Sequence, residues 1–163
     1  MNKWAENNKV IVYFDDTPQV AIRYVLPSMT DSEIKSIKKY PFVNKKNLTV
    51  RLVDKIKDRT YQFDIPKGRN FDGASIPRFF WRVIGAPTDN EFLIAALVHD
   101  ELCSRKELVW NDRQFSSEVF NVLLESAKVC KLKRYLMFHS VNFYQKMFCV
   151  NNMLNKMACI YQV

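Results

Sequence analysis

From Thr88 to Val163 the chain contains no glycine and no proline. These two residues are the strongest interrupters of regular backbone, so close to half of the sequence is free to run as helix. The spacing predicts helices over Asn90–Ser104, over Asp112–Val129 and from Leu132 to about Ile160. Phe115, Val119, Val122 and Leu123 form an apolar stripe on the second. Leu136, Phe143, Met147, Val150 and Leu154 do the same on the third, as core or as an oligomerisation contact between subunits.

Ahead of Asp72 the period changes to two. Leu48, Val50 and Leu52 alternate with polar residues, as do Tyr61, Phe63 and Ile65, which predicts two half-buried strands joined around Lys55–Arg59. Val10–Phe14 and Val20–Leu26 are β-rich, and Asp15-Asp16-Thr17-Pro18 between them reads as a hairpin turn. Thr30-Asp31-Ser32-Glu33 has the spacing of a capping box and predicts a short helix ending before Pro41, with Ile34 and Ile37 as its apolar contacts. The expected class is α+β: an N-terminal antiparallel sheet of hairpins packed against a C-terminal layer of three to four helices. One domain over 1–163 is expected, about 1–70 mainly strand and 71–163 mainly helix.

The chain is 48% hydrophobic and 26% charged, which excludes a disordered composition. Its polar N-terminus lacks the apolar run of a signal peptide, and no stretch reaches the roughly 20 apolar residues of a membrane span. Cys103, Cys130, Cys149 and Cys159 form no Cys-x-x-Cys pair, so reduced thiols are expected. Between Lys35 and Arg69, eleven Lys or Arg face three Asp, which accounts for the whole net charge of +8. Lys45, Lys46, Lys55, Lys57 and Arg59 are the candidate partner-binding residues of that segment, for nucleic acid or an acidic protein surface; the alternative is a solvated strand face.

The candidate chemistry lies where strands give way to helices. Asp72-Gly73 is a turn signal, Ser75 stands where it would cap the next helix, and Pro77 suits that helix's first turn. His99 falls near the end of an apolar helix, over Ala95 and Ala96 and along the Phe92 face, and should be at least partly buried. Such an imidazole needs a partner, and Asp72, Ser75 or Asp112 are the candidates. Asp100 points about 100° away from it. Cys103 shares the His99 face, but no second His/Cys pair completes a structural zinc site.

Asp72-Gly73-Ala74-Ser75-Ile76-Pro77, then His99-Asp100-x-Leu102, then Asp112-x-x-Phe115, resemble a family of short phage and prophage proteins classed as a domain of unknown function. The resemblance runs from Phe63 to Val141. It implies a phage or prophage origin, with the host cytoplasm or the virion as location, and carries no established activity. The His-Asp dipeptide also resembles that of the HD phosphohydrolases, but those need an upstream His and none precedes His99.

Two function classes follow. In the first, the protein works by its surface, as a virion component or a binder of a host factor, and the Asp/His groups form a buried polar network. In the second, Asp72, Ser75, His99, Asp100 and Asp112 are catalytic, with His99, Asp72 and Asp112 able to hold a divalent metal. The protein would then be a small metal-assisted hydrolase acting on peptidoglycan, a peptide or a phosphorylated molecule. The first needs fewer assumptions.

Overall fold

The computed structural model describes residues 1–73, 90–105 and 113–143. In chain order the elements are β1 (Asn2–Glu6), β2 (Val10–Phe14), β3 (Val20–Ile22), α1 (Asp31–Lys39), β4 (Phe42–Asn44), β5 (Leu48–Asp54), β6 (Arg59–Ile65), β7 (Asn70–Phe71), α2 (Asn90–Ser104) and α3 (Arg113–Ser126). A further helix, α4, occupies residues 131–143. The class is α+β, with an antiparallel sheet in the N-terminal part and helices in the C-terminal part.

The main sheet has the order β1-β2-β5-β6, each neighbour antiparallel. Its register follows from the alternation in the sequence. Val12 faces Leu52 and Phe14 faces Val50, and all four are buried. The residues between them point to the other, half-covered face, where the Arg51 guanidinium lies 4.5 Å from the centre of the Tyr13 ring opposite it. The buried face of the sheet joins Leu93, Leu97 and Val98 of α2 and Val119, Phe120 and Leu124 of α3 in one hydrophobic cluster. Burying each large aliphatic or aromatic side chain there contributes about 1.5–3 kcal/mol. A charge at Leu52 would break this layer. The β5–β6 turn is fixed from inside: Asp54 Oδ1 accepts from the N–H groups of Ile56 (2.9 Å) and Lys57 (3.1 Å), and Asp58 takes φ of 49°.

A second sheet, β3-β4-β7, leads to the candidate site. It replaces the hairpin expected between Val10–Phe14 and Val20–Leu26. Both edges of β2 are already taken, by β1 and by β5, so β3 has no edge there to join. Asp15 does not close a hairpin turn either. Its N–H donates to Thr49 O (3.2 Å) and its Oδ1 accepts from Thr49 N (2.8 Å), extending the β2–β5 ladder by one step. The hairpins that form are β1–β2 and β5–β6.

The helix signals read more directly. Thr30 and Glu33 form the capping box, with Glu33 Oε2 accepting from Thr30 N at 2.8 Å, and α1 stops before Pro41. The expected helix over Asn90–Ser104 is α2. The second ends at Ser126, short of Val129. With no glycine available, Lys128 itself takes the left-handed conformation at φ of 61°, and Val129 N–H turns back to Leu124 O at 3.1 Å. The last helix is described to residue 143; its expected continuation to Ile160, with Met147, Val150, Leu154, Cys149 and Cys159, lies outside the described residues.

Candidate functional site

The site begins with a clamp. Asn44 of β4 is fully buried, and its side-chain NH2 donates to Lys46 O (2.5 Å), Pro66 O (3.1 Å) and Ile65 O (3.3 Å). Its main chain accepts from Gly68 N (2.8 Å) and donates to Arg69 O (2.9 Å). Together these bonds fix the turn before β7, where Gly68 has φ of +87°. Phe71 then packs on Phe42 with ring centres 5.5 Å apart. Asp72 follows directly. Gly73, at φ +88°, lies so close to the Phe42 ring that a Cβ there would sit 2.9 Å from Cε2. Position 73 therefore requires glycine for both conformation and space.

Helix α2 supplies the other wall. Arg69, Asp72, Tyr40, Asp100, Glu101 and Cys103 line an open cleft with room for about 200 Å³. The carboxyl groups of Asp72 and Asp100 hydrogen-bond to each other, and the main-chain N–H of Asp72 also donates to Asp100. Loss of water, then the like charge of Asp100 and the hydrogen bond to it, push Asp72 up to about 7. Burial pushes Asp100 up to about 7 as well, against the pull of the Asp72 hydrogen bonds and the Arg69 charge. The two carboxyls interact closely enough to titrate as a unit.

One residue further on, Glu101 is surrounded by opposite charge. Arg105 Nη2 lies 2.9 Å from its Oε1, and Arg69 Nε lies 2.9 Å from its Oε2. The Arg69 contact is an ion pair without a directed hydrogen bond, since Oε2 accepts none. Arg105 also donates to Asp64 O (2.9 Å) and its guanidinium lies 4.9 Å from the centre of the Phe63 ring, tying the end of α2 to β6.

His99 turns inward. It is 4% exposed, packs on Phe120 of α3 with ring centres 5.3 Å apart, and lies over Ala95 and Ala96 as its helix position dictates. Cys103 Sγ is 3.6 Å from its Nε2. Its Nδ1 is 3.8 Å from Asp100 Oδ1, beyond hydrogen-bond distance. The structure thus brings Asp72 and Asp100 together and sets His99 behind them. Ser75 and Asp112, with Pro77, lie outside the described residues, so of the expected metal trio only His99 and Asp72 are seen. Among the described residues, no three His, Cys, Asp or Glu side chains are grouped to hold a metal ion. Among them too, no helix is long and apolar enough to cross a membrane.

The basic segment divides. Lys45 and Lys46 precede β5, whereas Lys55, Lys57 and Arg59 follow it, so the two groups stand roughly 20 Å apart at opposite ends of a seven-residue strand. Lys46 pairs with Asp16 at 2.7 Å and Lys55 with Glu6 at 2.6 Å, which spends part of the charge locally. On α4, Leu132, Tyr135 and Phe143 stand exposed.

The sequence reading missed Tyr40, Asn44, Arg69 and Glu101. Arg69 was visible only as one charge in a basic run, although Gly68 before it marks a fixed turn. Glu101 was hidden behind the adjacent His-Asp pair.

The chain belongs to the family described as protein of unknown function DUF1353, which matches residues 48–141. The match takes in all of β5 and β6 and the site residues from Arg69 to Cys103. It begins before the motif-based estimate of Phe63. The chain is also similar to the uncharacterized protein y4jT of Sinorhizobium fredii (strain NBRC 101917 / NGR234), 39% identical over 51 residues. That stretch is 31% of this chain and 15% of the relative, so the chain spans a small part of that protein. No solved structure matches.

Proposed function

We propose that the protein is a small hydrolase whose acid–base centre is the Asp72–Asp100 pair. The observation that carries this reading is that carboxyl groups from two separate sequence motifs hydrogen-bond to each other in an open cleft, where loss of water raises both toward neutral pH. Asp100 in its ionised form would draw a proton from an attacking water. Asp72 in its protonated form would give one to the leaving group. Arg69, on the cleft wall, offers a positive charge to a developing oxyanion. Two carboxylates disfavour a phosphorylated substrate by like-charge repulsion, so an amide or glycosidic bond is the better fit, as in a peptide or in peptidoglycan. His99 serves in this reading as a packing and positioning residue. Release of soluble fragments from dye-labelled peptidoglycan, or from a peptide library, tests it. Asp72→Asn and Asp100→Asn should each lower the rate by about 100-fold or more while circular dichroism stays unchanged. Full activity in either variant would remove the pair from the chemistry, and loss of activity with EDTA in the wild type would favour a metal-assisted form of the reaction.

A second reading has its own support. The near-complete burial of His99 against Phe120 is what a structural polar network would show. In that case the protein acts by its surface, as a phage virion component or a host-factor binder, and the basic ends of β5 are the contact. Co-sedimentation with purified phage particles, and pull-down lost on charge reversal at Lys45 and Lys57, would support it. Turnover by the wild type that is lost in Asp72→Asn would count against it.

A further inference from the structure

A second cleft, with room for about 400 Å³, lies between the β1–β2 turn, α3 and the first turns of α4. It shares no lining residue with the Asp72–Asp100 cleft. One wall is aromatic. Tyr135 is 62% exposed and lies against His139 with ring centres 4.2 Å apart, and Phe138 meets the same imidazole edge-on at 5.4 Å. The other wall is charged, with Lys9, Lys131 and Arg134 against Glu118 and Glu125. Lys9 pairs with Glu118 at 2.6 Å and Arg134 with Glu125 at 2.8 Å. Arg134 is largely buried beneath this wall, and its Nε has no acceptor. Asn121 adds an amide. Asn7 is already committed, since its Oδ1 accepts from Lys9 N and Val10 N, both at 2.8 Å.

We propose that this cleft binds a saccharide. Aromatic faces exposed beside carboxylates and an amide suit a ligand with an apolar ring face and a rim of hydroxyls. The C–H face of a pyranose would lie on Tyr135. Its hydroxyls donate to carboxylates and accept from amide and guanidinium N–H groups, so both partners of each ion pair can serve. A nucleotide would use the same aromatic wall, but Lys9 and Arg134 are held by Glu118 and Glu125, which leaves Lys131 to meet its phosphate.

Isothermal calorimetry of the full chain with chitotetraose and with cellotetraose tests the assignment. At least one should bind with a dissociation constant of about 0.1–1 mM, the range of a small cleft with few direct contacts. Tyr135→Ala should weaken binding about 10-fold or more, by loss of the stacking surface, and Asn121→Ala several-fold. An unchanged unfolding midpoint will show that each variant is folded. Binding should persist in Asp72→Asn, which keeps this result separate from any outcome at the carboxylate pair. No binding of either sugar, an undiminished affinity in Tyr135→Ala, or salt-sensitive binding of AMP in place of the sugars would overturn the proposal.

Discussion

Asp100 and Glu101 are neighbours on α2, about 100° apart around the helix, and their surroundings are opposite. Glu101 is the deeper of the two, its side chain 8% exposed against 20% for Asp100. Yet Glu101 has two guanidinium groups at ion-pair distance, whereas Asp100 faces another carboxyl group. Depth alone therefore does not decide what a buried acid does. A paired acid fixes structure: Glu101 ties α2 to the turn before β7. An acid facing its own kind holds a proton that it can release, and it lines the cleft. The sign of the neighbour separates a structural carboxylate from one available for chemistry.

The largest effect is expected at the paired acid. Glu101→Ala leaves Arg69 and Arg105 without their counter-charge and should cost about 3 kcal/mol in urea unfolding, near the lower end for breaking a buried pair because both arginines are partly solvated. A loss below about 1 kcal/mol would mean that Glu101 is no more structural than a surface acid, and the contrast would fail.

The Asp72 side depends on backbone geometry more than on ions. Gly73→Ala forces a Cβ against Phe42 at a positive φ and should cost about 2 kcal/mol. A crystal structure of that variant should show Asp72 displaced from Asp100. An unmoved pair would place the constraint elsewhere.

The pH dependence should oppose that of an ordinary acidic cluster. Both folded-state values, about 7, stand above the ordinary 3.8. The folded protein therefore binds more protons than the unfolded chain between these values. The stabilisation is complete below about pH 4 and is lost as pH rises through about 7. Because Asp72, though partly desolvated, keeps much of its surface in solvent, we expect a fall of only about 1–2 kcal/mol over this window. Asp72→Asn should remove the Asp72 share of the fall and leave that of Asp100, which burial raises on its own. Melting curves that rise from pH 5 to pH 8 in the wild type would contradict two raised carboxyls.

The smallest effect belongs to the exposed pairs. Lys55→Ala should change stability by less than about 1 kcal/mol, and less still at high salt. A larger loss would show that the β5–β6 end is held by charge.

The parts legible in the sequence are those set by near neighbours. The alternation in β5 and β6, the Thr30–Glu33 capping box and the extent of α2 each depend on residues a few positions apart. β7 is two residues long and β4 three, too short to show a period, and they exist because Asn44 and Phe42 hold them. The hairpin after Phe14 failed because a turn signal says nothing about whether a strand's edges are already occupied. At the site, the Asp-Gly and His-Asp motifs pointed to the right place. Their roles within it were set by helix rotation and long-range partners: His99 faces Phe120, Asp100 faces Asp72, and Glu101 meets Arg69. None of these pairings has a local signature.

Helix α1 carries one consequence for motion. A single side chain, Ile37, is buried beneath its nine residues. Beyond its cap it is anchored by Arg23 Nη1, which donates to Tyr40 O at 3.0 Å. So short a helix with one apolar anchor belongs to the part of a protein that opens far more often than the whole unfolds. Its amide protons should exchange with deuterium well ahead of those in β5 and α3. Tyr40 sits at its C-terminus and also forms part of the cleft rim. Each fraying of α1 would loosen that rim while the sheet beneath stays paired, so the cleft can breathe at equilibrium without any cost to the core.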